Sequence, residues 1–154
     1  MAPAADGRLY LAAEAGFFYR SDDGGATWTE MPSPYEGSFF GVLPLEGESV
    51  LAFGLRGHLF RSDDAGETWV EIETHTVSML TNSFRLTDGT IVITGLGGIM
   101  LVSDDGGRTF DMHQHCNRRG ISAGVLAKDD TLVFVGEFGV RTLPLSKLID
   151  RKDG

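Results

Sequence analysis

The chain of 154 residues has a single cysteine, Cys116, so it cannot close an intrachain disulfide. Five prolines are too few for a disordered linker. Positive charge is scarce: 13 Lys and Arg stand against 22 Asp and Glu, a net charge of −9. A nucleic-acid interface requires a basic stripe, and none is visible. An acidic surface also repels phosphates and anionic lipid. No apolar run approaches the length of a membrane helix. The opening residues, Met1-Ala2-Pro3-Ala4-Ala5-Asp6, carry neither the basic nor the apolar segment expected of a signal peptide. Helical periodicity is missing, apart from one short turn expected at 146–149. A nucleophile elbow, a Gly-rich phosphate loop before a helix and a zincin motif are missing as well.

Glycine is abundant, at 21 residues, and most of it sits in a repeat. Ser21-Asp22-Asp23-Gly24-Gly25-Ala26-Thr27-Trp28 returns 41 residues later as Ser62-Asp63-Asp64-Ala65-Gly66-Glu67-Thr68-Trp69. After another 41 it returns as Ser103-Asp104-Asp105-Gly106-Gly107-Arg108-Thr109-Phe110. Gly16, Gly57, Gly98 and Gly139 keep the same step, as do Gly54, Gly95 and Gly136, with Ala13 in the first slot. A fixed period of this size defines a repeat architecture.

Short strand-type runs lie between these markers. One series, strand b, is Leu9-Tyr10-Leu11-Ala12, Val50-Leu51-Ala52-Phe53, Ile91-Val92-Ile93-Thr94 and Leu132-Val133-Phe134-Val135. These runs are apolar at nearly every position, as expected of strands covered on both faces. Strand c follows at 17–20, 58–61, 99–102 and 140–143, and strand d at 27–30, 68–72 and 109–113. A preceding strand a is visible at 40–43, 83–86 and 124–127. Four strands per period predict an all-β fold of β-propeller blades, each of four antiparallel strands. About four blades are expected, at roughly 6–31, 38–72, 80–113 and 121–145, with a tail at 146–154. Counted this way, the first blade lacks its inner strand and the last lacks its outer one. The ring is incomplete, which suits the C-terminal part of a longer propeller or a homodimer that completes the ring. The fourth unit places Pro144 where the acidic turn should begin.

The octapeptide resembles the Asp-box, or bacterial neuraminidase repeat, Ser/Thr-x-Asp-x-Gly-x-Thr-Trp/Phe. The matching residues are Ser21, Asp23, Gly25, Thr27 and Trp28; Ser62, Asp64, Gly66, Thr68 and Trp69; and Ser103, Asp105, Gly107, Thr109 and Phe110. An Asp side chain that accepts the following backbone N–H groups closes a tight turn, and the aromatic residue then buries area between sheets. Calcium binding is the competing use of these acids, but each loop lacks the spread of oxygen ligands that calcium takes. Neither a metal nor a cofactor is expected. In sialidases such boxes lie away from the active site, so they speak for fold and not for activity.

Gly-x-x-Gly, a strand, then Ser-Asp-Asp-Gly-Gly-x-Thr-Trp resembles the photosystem II stability/assembly factor family of propellers, over residues 6–145. That resemblance implies a non-enzymatic scaffold, periplasmic or lumenal, that holds a protein partner through arginines on the b–c loops. Arg56-Gly57-His58-Leu59-Phe60 matches the family's Arg-Gly-x-x-Tyr/Phe motif. Ala15, Gly97 and Phe138 fill the equivalent slots, so the arginine ring is not continued.

Propellers bind on the face that carries the d–a and b–c loops. Tyr35, Glu36, Arg56, His75, Arg118, Arg119, Glu137 and Phe138 are assigned there. Arg56 and the Arg118-Arg119 pair could take a carboxylate or an acidic peptide, or be ordinary surface arginines. Arg85 lies in an inner strand and could face the central channel. His113, His115 and Cys116 form the one metal-like cluster, without a fourth ligand or zinc spacing. Sialidase-type hydrolysis needs an arginine triad, a Tyr nucleophile with its Glu and an Asp acid/base, and that set cannot be assembled. The expected function is therefore recognition of a protein partner or peptide segment, with a glycan-binding or sialidase-like propeller as the alternative. Truncating Trp69 to Ala should cost roughly 3–5 kcal/mol in urea unfolding if its ring is buried between blades.

Overall fold

A strand that is apolar on both faces requires a sheet on either side of it, and two strands of this chain meet that condition in full. β6 (Val50–Gly54) and β10 (Ile91–Gly95) are buried at every residue. The computed structural model describes residues 1–114, 118–127 and 131–144. They form four antiparallel sheets arranged as the blades of an incomplete β-propeller. The first sheet is β1 (Ala2–Pro3), β2 (Leu9–Ala12), β3 (Phe18–Ser21) and β4 (Thr29–Glu30). The second is β5 (Phe39–Pro44), β6, β7 (Leu59–Ser62) and β8 (Val70–Glu71). The third is β9 (Leu80–Arg85), β10, β11 (Ile99–Ser103) and β12 (Asp111–Gln114). The fourth, among the described residues, is β13 (Ile121–Leu126), β14 (Thr131–Gly136) and β15 (Gly139–Pro144). The tail at 146–154, with its expected turn, lies outside the described residues.

The first blade differs from the sequence expectation. It has an inner strand, β1, which pairs Ala2 with Tyr10 and Pro3 with Leu9. Two residues, one of them proline, carry no alternating pattern, so the strand left no trace in the sequence. Proline is tolerated there because β1 is an edge strand.

Three apolar seams join the blades. At the first seam, Tyr10 and Phe18 of blade 1 pack with Phe39, Val42 and Phe60 of blade 2. At the second, Leu51, Phe53 and Leu59 meet Ile91, Ile93, Leu101 and Phe110. At the third, Phe84 and Val92 meet Leu132 and Phe134. The box aromatics seat in the seam that precedes their own blade. Trp69 meets Phe18 edge to face, with ring centroids 4.9 Å apart, and its indole N–H donates to the Pro32 carbonyl at 3.0 Å. Phe110 is buried in the second seam. Trp28, in the first described blade, is 38% exposed.

An arginine locks each of the first two seams. Arg20 donates to the Ala65 carbonyl in the second box at 3.0 Å, and Arg61 donates to the Gly106 carbonyl in the third. Arg61 is buried and also reaches Ser49 and Asp63. The next slots in the series hold Val102 and Leu143, and the third seam leads to the blade that has no box.

The fourth blade breaks the register of the others. Strand c pairs with strand b as Leu11 with Tyr19, Ala52 with Phe60 and Ile93 with Leu101 in blades 1 to 3. The same slots would pair Phe134 with Thr142, but Phe134 faces Arg141. The cause is the connection. Blades 1 to 3 turn through the three-residue segments Glu14–Gly16, Leu55–Gly57 and Leu96–Gly98. In blade 4 the ladder runs on to Gly136 and Gly139, which leaves Glu137 and Phe138 as a two-residue turn. A slip of one residue moves every side chain to the other face. Leu143 therefore packs into the third seam, while Val140 and Thr142 join Val135 and Val133 on the outer side.

The Arg61 lock gives a direct test. Replacing Arg61 with Leu orphans the Gly106 carbonyl and the Asp63 pairing, at a cost of about 2 kcal/mol for a charge-assisted buried group. Urea unfolding followed by tryptophan emission should show that loss, without change in the native far-UV spectrum.

Candidate functional site

At one end of the blades the three acidic turns are closed systems. In the first, the Ser21 hydroxyl donates to Asp23 Oδ1 at 2.8 Å and accepts the Gly25 N–H at 2.8 Å. Asp23 Oδ1 also accepts the Thr27 N–H at 2.8 Å, and Oδ2 accepts the Thr27 hydroxyl at 2.6 Å. The second turn repeats this with Ser62, Asp64, Gly66 and Thr68, and the third with Ser103, Asp105, Gly107 and Thr109. Both carboxylate oxygens are thus used inside the turn that carries them. Among the described residues no group of three or more His, Cys, Asp or Glu is placed to hold a metal ion. Hydrogen bonds to the anion lower the carboxyl pKa. Asp23 is lowered to about 2, first by the Thr27 hydroxyl and then by the Thr27 N–H and Ser21. Asp64 is likewise lowered to about 2, first by Thr68. At Asp105 partial burial pushes upward, but Thr109, Ser103 and Arg108 together outweigh it and the net shift is down.

The opposite end carries strained backbone. Five non-glycine residues of the described chain have positive φ, and four of them, Ala15, Arg56, His75 and Arg118, lie on the b–c and d–a loops. Such residues are a small minority in proteins, and when they occur they concentrate at functional sites. Arg56 is the middle residue of the turn Leu55–Gly57, with φ 56°. Its slot is left-handed in every three-residue turn of this kind here, at Ala15 with φ 55° and at Gly97 with φ 67°. The following d–a loop clamps this turn in place. The Thr74 hydroxyl donates to the Gly57 carbonyl at 2.8 Å, and a Cβ on Gly57 would overlap the Thr76 carbonyl oxygen.

The clamp shapes a hollow of about 640 Å³ beside β7 and β8, lined by Arg56, His58, Glu71, Glu73, Thr74 and His75. Its acids are engaged: His58 Nδ1 lies 2.6 Å from Glu71 and His75 Nδ1 lies 3.2 Å from Glu73. Arg56 is exposed and makes no ion pair among the described residues. Sequence reasoning placed Arg56 and His75 on this face but gave no role to His58, Glu71 or Thr74. His58 falls at a variable position of the Arg-Gly-x-x-Phe motif, and Glu71 and Thr74 lie outside it, so the sequence carried no signal for them.

The remaining candidates are dispersed. Tyr35 stacks at the edge of the first seam, with its ring 4.3 Å from His58 and 6.0 Å from Phe60 between centroids. Arg119 lines a separate pocket of about 180 Å³ between blades 3 and 4, with Met100, Phe134, Phe138 and Arg141. Glu137 accepts the Gly120 N–H at 3.0 Å at the rim of that pocket. Arg118 and Glu36 are exposed. Arg85 is at the Asp-box end of β9 and reaches Glu46 at 3.4 Å, so it stands away from Arg56. His113 pairs with Met100 across β11 and β12, and His115 and Cys116 lie outside the described residues.

Comparison with known proteins agrees with this architecture. The BNR/Asp-box repeat model matches residues 19–30, which hold the first acidic turn. No curated protein matches the chain. Among solved structures, an ancestral GH74 enzyme is 15% identical over 92% of this chain and 22% of its own, with a TM-score of 0.76. YCF48 bound to D1 peptide is 18% identical over 88% of this chain and 47% of its own, with a TM-score of 0.65. The WD40 β-propeller domain of Doa1 is 9% identical over 90% of this chain and 47% of its own, with a TM-score of 0.72. The chain therefore spans less than half the length of each of these structures. At such identities the likeness is one of fold, and these propellers include both an enzyme and a peptide-bound protein.

The acidic turns predict a pH response. A carboxyl that titrates near 3.8 when unfolded and near 2 when folded contributes stability that is present above about pH 4. That stability is lost as pH falls through about 2. Acid titration followed by circular dichroism should place this loss between those values, and Thr68→Val should move it to higher pH.

Proposed function

We propose that this chain is a non-enzymatic propeller module, scaffold- or assembly-factor-like, that recognises an acidic peptide segment of a protein partner on the loop face opposite the Asp-boxes. The observation that carries this reading is Arg56. The fold holds it in a left-handed conformation that costs about 1–3 kcal/mol at a non-glycine residue. Among the described residues it has no carboxylate partner, and it stands at the mouth of the hollow that contains His58 and His75. Glycine occupies the same slot at Gly97, so nothing in the turn itself requires arginine there. A guanidinium in this setting offers a bidentate site for a carboxylate. Arg118 and Arg119 would extend positive charge toward blades 3 and 4, and Tyr35 would border the hollow at the first seam. Arg85, paired with Glu46, is assigned to structure instead.

The hydrolysing alternative needs either two carboxylates free to act as acid and base or, for sialidase-type chemistry, a Tyr nucleophile, and among the described residues no Tyr lines this hollow. In this hollow Glu71 and Glu73 each hold a histidine, which favours binding over hydrolysis.

Arg56→Gly suits the turn and should leave thermal stability equal or slightly raised. On an array of acidic dodecapeptides it should weaken binding at least tenfold relative to the unaltered chain. Equal binding by both proteins would remove Arg56 from the site. Turnover of a fluorogenic sialoside by the unaltered chain would replace the proposal with the enzymatic reading.

A further inference from the structure

The two end faces of the blade array are unlike each other and both are apolar. On the first blade the outward side carries Leu9, Leu11, Phe17 and Tyr19. Leu11 pairs with Tyr19, Phe17 is 46% exposed, and the Phe17 and Tyr19 rings stack at 6.1 Å. Trp28 stands beside them, next to Leu9 across Gly25. Glu30 is at the rim, on the outermost strand. On the fourth blade the outward side carries Val125, Val133, Val135, Val140 and Thr142, paired with one another across the three strands. Val125, Val135 and Val140 are 58%, 40% and 69% exposed.

The register slip in blade 4 makes this second face uncharged. Had β15 kept the register of the other blades, Arg141 would stand on it. The two-residue turn at Glu137 and Phe138 swings Arg141 to the pocket beneath Phe138 instead, with the guanidinium 5.9 Å from that ring.

The internal seams show what covers a face of the first kind. A Cβ added to Gly66 would meet Phe18 of the preceding blade, and one added to Gly107 would meet Leu51 of the preceding blade. At Gly25 the neighbours are Leu9 and Trp28 of the same blade. Trp28 thus occupies the slot of Trp69 and Phe110 with no preceding sheet among the described residues to cover it. The third seam forms although Val102 stands in the arginine slot, so a seam made by blade 4 does not require an arginine at Leu143.

We propose that two copies of this chain close one ring, the aromatic face of each first blade seating on the valine face of the other copy's fourth blade. The two contacts are equivalent by two-fold symmetry and leave neither face open. Four blades from each copy give a ring within the range known for propellers. This contact uses the blade ends and is independent of the loop-face hollow, so either proposal can fail without the other.

Native mass spectrometry and light scattering on the full chain should give twice the monomer mass. Val135→Glu, at a position already exposed in one copy, should return the mass to that of a monomer with an unchanged far-UV spectrum. In a Cys116→Ser background, Phe17→Cys and Val140→Cys proteins should be joined by a bismaleimide only when the two are mixed. Three results would overturn the proposal. They are a monomer persisting at about 100 µM, where a micromolar complex would be formed, cross-linking of either protein to itself alone, and an open-ended series of larger oligomers.

Discussion

The central strand of each blade cannot stand alone, and the rest of the molecule follows from that. β6 and β10 offer apolar side chains to both sides, so every blade depends on its neighbours for the cover that water cannot give. The acidic turns serve this dependence. Each uses one serine, one aspartate and one threonine to close a loop on itself, and in the second and third turns the closed loop aims an aromatic ring into the preceding seam. The arginines Arg20 and Arg61 work in the same direction, since each reaches forward into the next turn. The first two seams are therefore apolar in their middle and tied at the Asp-box end by a cation on a backbone carbonyl.

The two ends of the blades divide the work. At the Asp-box end hydrogen bonding is satisfied locally, and the anions are held so firmly that their carboxyls titrate far below the usual range. The loop end spends conformational energy instead, with left-handed arginine and histidine residues held by clamped turns. One end is closed and locally satisfied, while the other holds a left-handed arginine that makes no ion pair among the described residues.

Much of the fold was legible because it depends on spacing. The 41-residue period and the apolar b runs located β2, β6, β10 and β14 to within a residue. The d strands came out shorter than expected in blades 1 and 2, because the turn absorbs Thr27, Trp28, Thr68 and Trp69 before pairing begins. β1 was illegible, since two residues carry no period. The slip in blade 4 was illegible for a different reason: Gly139 keeps its place in the repeat, and spacing does not reveal which residue pairs across a hairpin. Of the candidate site, Arg56 was legible through its motif. That Arg56 and Arg119 serve separate hollows depends on which seam each loop crosses, and that Arg85 would find Glu46 depends on a turn of the neighbouring blade.

The unequal seams also differ in what must break when they open. In an array whose units touch only their neighbours, stability is the sum of unit and seam terms, and opening starts where a seam is weakest. The first two seams carry an arginine tie and a box aromatic, whereas the third has Val102 in the arginine slot and Pro144 where a box would start. Thr81 and Asn82 cross it instead, through single hydrogen bonds to the Ile121 and Gly124 carbonyls near the inner strands. Detaching blade 4 therefore breaks hydrogen bonds near the inner strands, whereas parting blades 1, 2 and 3 from one another also breaks an arginine tie at the Asp-box end.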